Sequence, residues 1–412
     1  MASLDTLRYA PWLTRERVLR WSLAFVLMSA ILVTAHIVTH TAVQLTSENG
    51  EQLGIDFINY WSGARFASEQ PVRAYDLAVF DAFQKSVVGS AAVFKYYVYP
   101  PVAMMLSLPL ANLSFVWALV AWVGLGAGFC LWSLSRLLGW RMAALATFGA
   151  PAACLNLLTG QNGYFTAGLL GTGLMVLDRR PVLAGMLFGL LSYKPHFGLL
   201  LPVALIFGGH WRAFTAAAAT VVLLVVGSIA LLGADVWLAF LHMMAVQRQI
   251  MEIGVWGWHR IPTIFAAMRM AGAGESTAYA AQIASAALAA AIVALVWRAR
   301  CPLEVKAATL VIATFVSLPY AQDYDMVVLI FAAGWLLNQA LANGFLPWER
   351  LTLAMLLVLP IVAMPLSKWT GVQIGPIVLW AMLALSARRA LAPDSGVAAF
   401  RPANSPVSSP AA

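Results

Sequence analysis

The sequence predicts an all-α polytopic membrane protein, and three observations lead to that prediction. Hydrophobic residues make up 62% of the 412-residue chain, charged residues make up only 10%, and the mean hydropathy is +0.81. An ordinary soluble domain carries about 25% charged residues. Apolar runs recur from Trp21 to Leu385 as unbroken segments rather than alternating ten-residue strands, which favours helices over a barrel.

Twelve apolar segments are candidate membrane spans. They are residues 21–43, 112–135, 142–158, 163–177, 182–193, 197–209, 213–232, 277–297, 303–319, 325–342, 349–366 and 372–387. A helix rises about 1.5 Å per residue and the hydrocarbon core is about 30 Å thick, so the shortest segments do not cross it unaided. Segments 182–193 and 197–209 are therefore also compatible with one re-entrant hairpin, and we expect about 10 to 12 spans.

The spans form one domain over residues 21–390. A short segment, 1–20, precedes this domain, and a Pro/Ser-rich tail, 391–412, has too little apolar surface to fold and is predicted to be disordered. Basic residues, among them Arg179 and Arg180, collect on one side of the arrangement. Cytoplasmic loops carry such an excess, which predicts that this side and both termini are cytoplasmic. We expect the protein to lie in the plasma (inner) membrane.

Two long connections, residues 44–111 and 233–276, then lie on the extracytoplasmic side. Within the first, apolar residues recur at helical spacing over 56–67 and 77–88, so we expect amphipathic helices on the membrane surface there. The net charge of +8 comes from basic residues scattered singly at span ends, without a Lys/Arg stripe. This pattern predicts contact with the lipid bilayer and none with nucleic acid.

Asp56 is the leading candidate for a catalytic residue. It follows the first span in the run Gly54-Ile-Asp-Phe-Ile-Asn-Tyr, and helical spacing puts Asn59 and Tyr60 on its face. A carboxylate beside apolar surface is costly and usually functional, and here it could take a proton from a hydroxyl group. Because an Asp before an apolar run also caps a helix well, the residues alone leave a general base and an N-cap equally open.

Lys194 is the leading candidate for a phosphate-binding cation. The sequence Tyr-Lys-Pro-His, ending at His196, interrupts a long apolar stretch and breaks its helix at the proline. A cation at such a break can meet a phosphate group. The alternative is a lysine that extends its ammonium to the lipid headgroups. His196, Arg260 and Lys95 are the next candidates for the same role.

Two polar turns complete the candidate site. Gln161 and Asn162 lie between glycines, where Gln-Asn side chains could bind a sugar or merely form a tight turn. In Tyr-Ala-Gln-Asp-Tyr-Asp, the carboxylates of Asp323 and Asp325 could together hold sugar hydroxyls or a metal, or Asp323 could cap the following helix. His259, in the second long loop, is a lone histidine of the kind that more often hydrogen-bonds at the membrane interface.

Motifs for nucleotide hydrolysis, dinucleotide binding, zinc proteases and ordinary serine hydrolases are absent from the sequence. The three cysteines show no metal-ligand spacing. We therefore expect no cofactor and no bound metal.

The chain resembles glycosyltransferase family 87, the polyprenyl-phosphate-dependent mannosyltransferases of the GT-C membrane superfamily, over most of residues 20–390. The resembling pieces are Asp56-Phe-Ile-Asn-Tyr-Trp-Ser-Gly-Ala64 with Tyr75-Asp76, Tyr99-Pro-Pro101, Gly160-Gln-Asn162, Lys194-Pro195 and Pro319-Tyr-Ala-Gln-Asp-Tyr-Asp325. The resemblance implies a GT-C-like helical bundle and a donor in which one phosphate links a hexose, mannose in the family, to a long isoprenoid.

The resemblance further implies that Asp56 is the base at the hydroxyl of a lipid or glycan acceptor, with inversion at the anomeric carbon. The expected substrate-binding residues are Asn59, Tyr60, Tyr99, Gln161, Asn162, Lys194, His196, His259, Arg260 and Asp323. An alternative of another class is a non-catalytic transporter or flippase for a polyprenyl-linked or amphiphilic solute. The sequence has no inverted repeat with paired broken helices, which weakens that alternative.

Overall fold

The structure, a computed structural model, describes residues 2–42, 45–47, 50–255 and 257–391. Within these ranges the regular structure is helical, apart from one isolated antiparallel bridge between Thr46 and Gln52. The all-α class predicted from the sequence is therefore confirmed. Apart from Leu391, the predicted disordered tail lies outside the described residues.

The first part of the described chain forms eight α-helices. They are α1 (Ala2–Tyr9), α2 (Arg15–Ala42), α3 (Phe57–Glu69), α4 (Leu77–Val88), α5 (Pro101–Ser107), α6 (Phe115–Leu138), α7 (Trp140–Gly149) and α8 (Pro151–Thr159). Two 3-10 turns, Pro71–Tyr75 and Leu108–Asn112, follow α3 and α5. The amphipathic patterns predicted at 56–67 and 77–88 thus correspond to α3 and α4.

Eleven α-helices follow in the rest of the described chain. They are α9 (Gly163–Val176), α10 (Pro181–Leu190), α11 (Leu201–Phe207), α12 (Trp211–Leu232), α13 (Asp235–Ile253), α14 (Ile264–Met270), α15 (Glu275–Arg298), α16 (Leu303–Ser317), α17 (Leu329–Asn343), α18 (Glu349–Thr370) and α19 (Gly375–Leu391). The 3-10 turns of this part are Leu191–Tyr193, Pro195–Gly198, Trp258–Arg260 and Asp323–Val328.

Several helices are long and apolar enough to cross a membrane. The six such segments are Arg15–His40, Phe115–Leu138, Trp211–Leu232, Glu275–Arg298, Asp323–Asn343 and Glu349–Thr370. Helices α7 and α8, bent by 60° at their junction, make a seventh if they form one span. The chain is thus a multi-pass membrane protein.

The remaining predicted spans are also helical, but they are short. Helices α9, α10, α11, α16 and α19 have at most 17 residues each. A helix of that length rises only about 25 Å, less than a hydrocarbon core of about 30 Å. The helices of spanning length in the described residues are therefore fewer than the 10 to 12 spans predicted.

Helix α16 forms the centre of the bundle. Every residue from Ala307 to Ser317 is buried, and the helix packs against α15, α17 and α19. A helix that is apolar on all sides belongs in a core rather than at a surface. The polar segments at one end of this core form the candidate site.

Helix α3 is buried in the protein, contrary to the expectation that it lies on the membrane surface. Residues 57–64 are all buried, and α3 packs against α5 and the turn Leu108–Asn112. The backbone N–H of Asp56 donates to the carbonyl of Thr159 at 3.0 Å, which joins the start of α3 to the end of α8. Helix α4 is amphipathic as predicted and buries Phe80, Gln84 and Val88 along one face.

Gly63 allows α3 to approach the chain segment before α5 closely. A Cβ atom at this position would lie 2.4 Å from Cε2 of Tyr97, which is itself fully buried. We expect Gly63→Ala to lower stability by about 1–3 kcal/mol, because the added methyl group forces buried neighbours apart. Thermal unfolding of the purified protein in detergent measures this change.

Gly124→Ala is the matched control, since a Cβ atom there meets nothing within 4 Å on the exposed side of α6. This control is expected to be neutral or slightly stabilising because alanine favours helix over glycine. Equal effects of the two substitutions would show that the contact between α3 and Tyr97 does not constrain the fold.

Candidate active site

Four interruptions of helical structure meet at one end of the bundle. They are the start of α3 at Asp56, residues 160–162 between α8 and α9, the break at Lys194, and the turn Asp323–Val328 before α17. A backbone hydrogen bond to Thr159 joins the start of α3 to the chain just before residues 160–162. The Lys194 ammonium donates to Asn162 and to Asp325, which joins the other three interruptions. The polar side chains of segments far apart in the sequence are thereby concentrated in one place.

Asp56 occupies the N-cap position of α3, but its carboxylate does not cap the helix. Its Oδ1 instead lies 3.1 Å from Nζ of Lys95, and the two side chains are 15% and 16% exposed. The position therefore agrees with the N-cap interpretation, whereas the side-chain contacts do not. The carboxylate is held in an ion pair that retains some access to the surroundings.

Gln84 connects the Asp56 helix to the segment that carries Lys95. Its Nε2 donates to Oδ1 of Asn59 at 3.1 Å, and its Oε1 accepts from the backbone N–H of Lys95 at 3.2 Å. Gln84 is 2% exposed and Asn59 is 8% exposed. The side-chain oxygen of Asn59, predicted to bind substrate, is thus used within the protein.

Tyr60 and Tyr99 place two hydroxyl groups beside Gln161. The Tyr60 hydroxyl lies 2.5 Å from the Tyr99 hydroxyl and 2.7 Å from Oε1 of Gln161. These contacts are satisfied when Tyr99 donates to Tyr60 and Tyr60 donates to Gln161. Burial is the main cause that raises the pKa of both tyrosines, so both remain protonated and serve as hydrogen-bond donors.

The turn at residues 160–162 requires a glycine and directs two polar side chains inward. Gly160 has φ of +68°, and a Cβ atom there would lie 2.6 Å from Cβ of Phe57. Gln161 meets Tyr60, and Oδ1 of Asn162 accepts from Nζ of Lys194 at 2.9 Å. The segment is thus both a tight turn and part of the polar cluster.

Lys194 is buried and ion-paired, which differs from both interpretations of the sequence. Its ammonium donates to Oδ1 of Asp325, and the two side chains are 5% and 2% exposed. The rings of Phe197 and Tyr324 lie 5.2 and 5.6 Å from Nζ. The ammonium therefore does not extend to the lipid headgroups, and in this structure it is bonded to Asn162 and Asp325.

Asp323 and Arg260 lie at the same end of the bundle as Asp56. The Asp323 carboxyl interacts electrostatically with Arg260, Asp325 and Asp56. Its Oδ1 also accepts from the backbone N–H of Tyr324 at 2.9 Å, so the carboxyl supports its own turn. Arg260 is exposed, which leaves its guanidinium accessible to a ligand.

The two predicted histidines are at the margin of this cluster. Among the described residues, Nε2 of His196 is buried without a hydrogen-bond partner, and its ring lies beside Phe197. The backbone carbonyl of His259 accepts from Nε2 of Gln373 at 3.0 Å. Burial, with Lys368 and Arg260 adding to it, lowers the pKa of His259 and favours the neutral imidazole.

An apolar cleft of about 170 Å³ adjoins the polar cluster. Its lining residues are Tyr60, Ala103, Leu106, Ser107, Trp122, Phe165, Leu169, Leu190 and Tyr193. Tyr60 belongs to both regions, because its ring lines the cleft and stacks on Trp122 while its hydroxyl bonds to Gln161. Apolar and polar binding surfaces therefore meet at one side chain.

Sequence reasoning missed two residues that organise the site, Gln84 and Asn156, and it missed the ion-pair partner of Lys194. Gln84 bridges Asn59 and Lys95, and Asp325, expected with Asp323 as a ligand for a metal or a sugar, pairs with Lys194. Asn156 donates to the carbonyl of Tyr324 at 2.6 Å and accepts from the N–H of Gly163 at 2.9 Å. A polar amide within the apolar segment 142–158 was the available signal for Asn156, since such a group needs a partner when buried.

Comparison with known proteins identifies the class of the protein. The model of glycosyltransferase family 87 matches residues 97–319, more than half of the chain. The chain belongs to glycosyltransferase family 87. No curated protein and no solved structure matches it significantly.

The family 87 match covers only part of the cluster. Tyr99, Gln161, Asn162, Lys194 and Arg260 lie within the matched residues. The segment with Asp56, Asn59 and Tyr60 precedes them, and Asp323 follows them. Membership of the family establishes a membrane glycosyltransferase, whereas the role of each side chain rests on the site itself.

We expect Lys194→Met to destabilise this family 87 protein strongly. The substitution leaves the Asp325 carboxylate buried without its cation, and breaking a buried pair in this way costs about 3–5 kcal/mol. Lys194→Met combined with Asp325→Leu removes both charges and should recover much of the loss. Thermal unfolding in detergent measures both variants.

Lys85→Met provides the control, because it removes an ammonium from the more exposed pair with Asp81. That pair is expected to contribute about 0–1 kcal/mol. If Lys194→Met unfolds at the wild-type temperature, the buried ion pair does not stabilise the site.

Proposed function

We propose that this family 87 protein transfers a hexose, mannose in the first instance, from a polyprenyl-phosphate-linked donor to a hydroxyl group of a lipid or glycan acceptor. The reaction takes place on the extracytoplasmic face of the plasma (inner) membrane. The observation that carries the proposal is that the Asp56 carboxylate is partly exposed where the broken helices meet. Hydroxyl and amide groups of Tyr60, Tyr99 and Gln161 lie along the same end of the bundle.

The proposed chemistry is a single displacement in a GT-C-like site. Asp56 takes the proton of the acceptor hydroxyl as the oxygen attacks the anomeric carbon. The bond from that carbon to the phosphate oxygen breaks, and its electron pair leaves with the polyprenyl phosphate. The Asp56 proton then passes to water, and attack opposite the leaving group inverts the anomeric carbon. Positioned proton transfer of this kind contributes about 10²- to 10⁴-fold to the rate.

The apolar cleft supports a lipid-linked donor. Its walls come from α3, α5, α6, α9 and the end of α10, and its aromatic and aliphatic side chains match an isoprenoid chain. The polar row of Tyr60, Tyr99 and Gln161 begins where the cleft ends. In a lipid-linked donor, the apolar tail would lie in the cleft and the phosphate-linked sugar would lie beside the polar row.

The remaining residues predicted to bind substrate receive different roles in this proposal. Arg260 is one accessible cation for the departing phosphate, and Asp323 takes part in binding the sugar hydroxyls. In the substrate-free state Lys194 pairs with Asp325 and holds Asn162 in the polar cluster, so we assign it a structural role and not phosphate binding. Asn59 acts through Gln84, and His196 and His259 lie at the margin of the substrate site.

We expect Asp56→Asn to reduce sugar transfer by about 10²- to 10⁴-fold, because the amide keeps the shape but does not accept the proton. The measurement is transfer from a labelled polyprenyl-phosphate hexose in membranes with matched protein levels. Asp235→Asn, at an exposed carboxylate on α13, should retain wild-type turnover. Substantial residual activity of Asp56→Asn would rule out Asp56 as the base, and binding without any transfer by the wild type would favour a transporter.

If the site is extracytoplasmic and the Arg179 side is cytoplasmic, Ser68 and Arg179 lie on opposite sides of the membrane. Both residues are exposed, so labelling reagents can reach them. In right-side-out membrane vesicles, Ser68→Cys should react with a membrane-impermeant thiol reagent, whereas Arg179→Cys should react only after permeabilisation. The wild-type protein, whose cysteines at 130 and 154 are buried, provides the background. The reverse pattern would place the site on the cytoplasmic side.

A further inference from the structure

The ion pair between Lys95 and Asp56 lies where the proposed reaction brings two anions together. This inference rests on that proposed reaction. The base carboxylate and the phosphate of the donor are both anions, and they must lie close together for transfer. Like charges in a partly buried site repel one another more strongly than in water. A cation that can contact both groups in turn removes this repulsion.

The charged groups of the cluster are balanced before a donor binds. Carboxylates at Asp56, Asp323 and Asp325 lie with cations at Lys95, Arg260 and Lys194. The Lys194 pair is almost fully buried, whereas the Lys95 pair is 16% and 15% exposed. Of these two ion pairs, the one with Lys95 is the more exposed, so a ligand can approach it more readily.

Lys95 combines an anchored backbone with a long, flexible side chain. It lies in the non-helical segment between α4 and α5, and its backbone N–H donates to Gln84. Gln84 is held in turn by Asn59, one helical turn after Asp56. The lysine side chain has four carbons in its flexible stem, so Nζ has room to reorient while the backbone stays bonded to Gln84 on α4.

We propose that Lys95 is a phosphate-binding residue that pairs with Asp56 until the donor binds, and that Gln84 is its positioning residue. When the phosphodiester of the donor enters, the Lys95 ammonium moves from the Asp56 carboxylate to a phosphate oxygen. Donor binding thereby frees the base beside the acceptor hydroxyl. The ammonium then stays with the leaving phosphate, where it stabilises the developing charge.

Binding of polyprenyl monophosphate, compared with polyprenol of the same length, tests the contact with phosphate. Lys95→Met should weaken binding of the monophosphate roughly 10- to 100-fold, the range for a charge-assisted hydrogen bond. Polyprenol binding should not change, because the alcohol lacks the phosphate group. In transfer assays, the same variant should raise the donor KM, and Lys95→Arg should recover part of the loss.

Lys85→Met is the matched control for Lys95→Met. It also removes an ammonium that pairs with a carboxylate, and it lies on α4 next to Gln84. Its binding of polyprenyl monophosphate and its donor KM should match those of the wild type. Wild-type affinity for the monophosphate in Lys95→Met would overturn the proposal.

A double-mutant cycle distinguishes positioning by Gln84 from general support of the fold. Gln84→Leu should weaken monophosphate binding several-fold in the wild-type background and have little further effect in Lys95→Met, because its action passes through Lys95. Gln247→Leu is the control, since it removes a hydrogen bond from the neighbouring Tyr96. Additive losses from Gln84→Leu and Lys95→Met would show that Gln84 acts independently of the lysine.

Measurements on the wild type separate the identity of the donor from the role of Lys95. If the wild type neither binds polyprenyl monophosphate nor transfers a hexose from its glycosylated form, the proposed donor is wrong. If the wild type does both and Lys95→Met equals it, the donor is right and the role of Lys95 is wrong.

Discussion

The buried ion pair between Lys194 and Asp325 is the interaction on which the candidate site depends. It joins the break between α10 and α11 to the turn before α17, and Asn162 adds the turn before α9. Broken helices inside an apolar bundle leave polar groups that need partners within the protein. Because the pair satisfies charge and hydrogen bonding at once, three chain interruptions are held in one arrangement. The same contacts keep Gln161 beside Tyr60.

The two ion pairs of the site have different surroundings and therefore suit different tasks. The pair of Lys194 and Asp325 is enclosed by the rings of Phe197 and Tyr324, so separating it would strand charges at low dielectric. The pair with Lys95 retains access to the surroundings. A rigid pair that fixes geometry thus stands beside a pair that a ligand can rearrange. This difference follows from burial, since both pairs consist of the same two residue types.

The sequence predicted the membrane class, helices at α3 and α4, and the polar turns that meet at the site, because each leaves a local pattern. It did not predict the partner of Lys194, which lies 131 residues away, or the contact of Asn59 with Gln84 on the next helix. Helix periodicity shows which residues share a face, but it does not show which other helix covers that face. The burial of α3 was missed for the same reason, since its polar Asn59 faces Gln84 rather than water.

Tyr60 shows how the fold joins two kinds of binding surface without a separate domain. Its ring stacks on Trp122 in the apolar cleft, and its hydroxyl continues the polar row through Tyr99 and Gln161. Because α3 also carries Asp56 one turn earlier, the orientation of this single helix sets the distance between cleft, polar row and base. In the proposed reaction, the junction between isoprenoid and phosphate lies beside Tyr60. The burial of α3 therefore serves the packing of the bundle and, in the proposed reaction, fixes the position of the base.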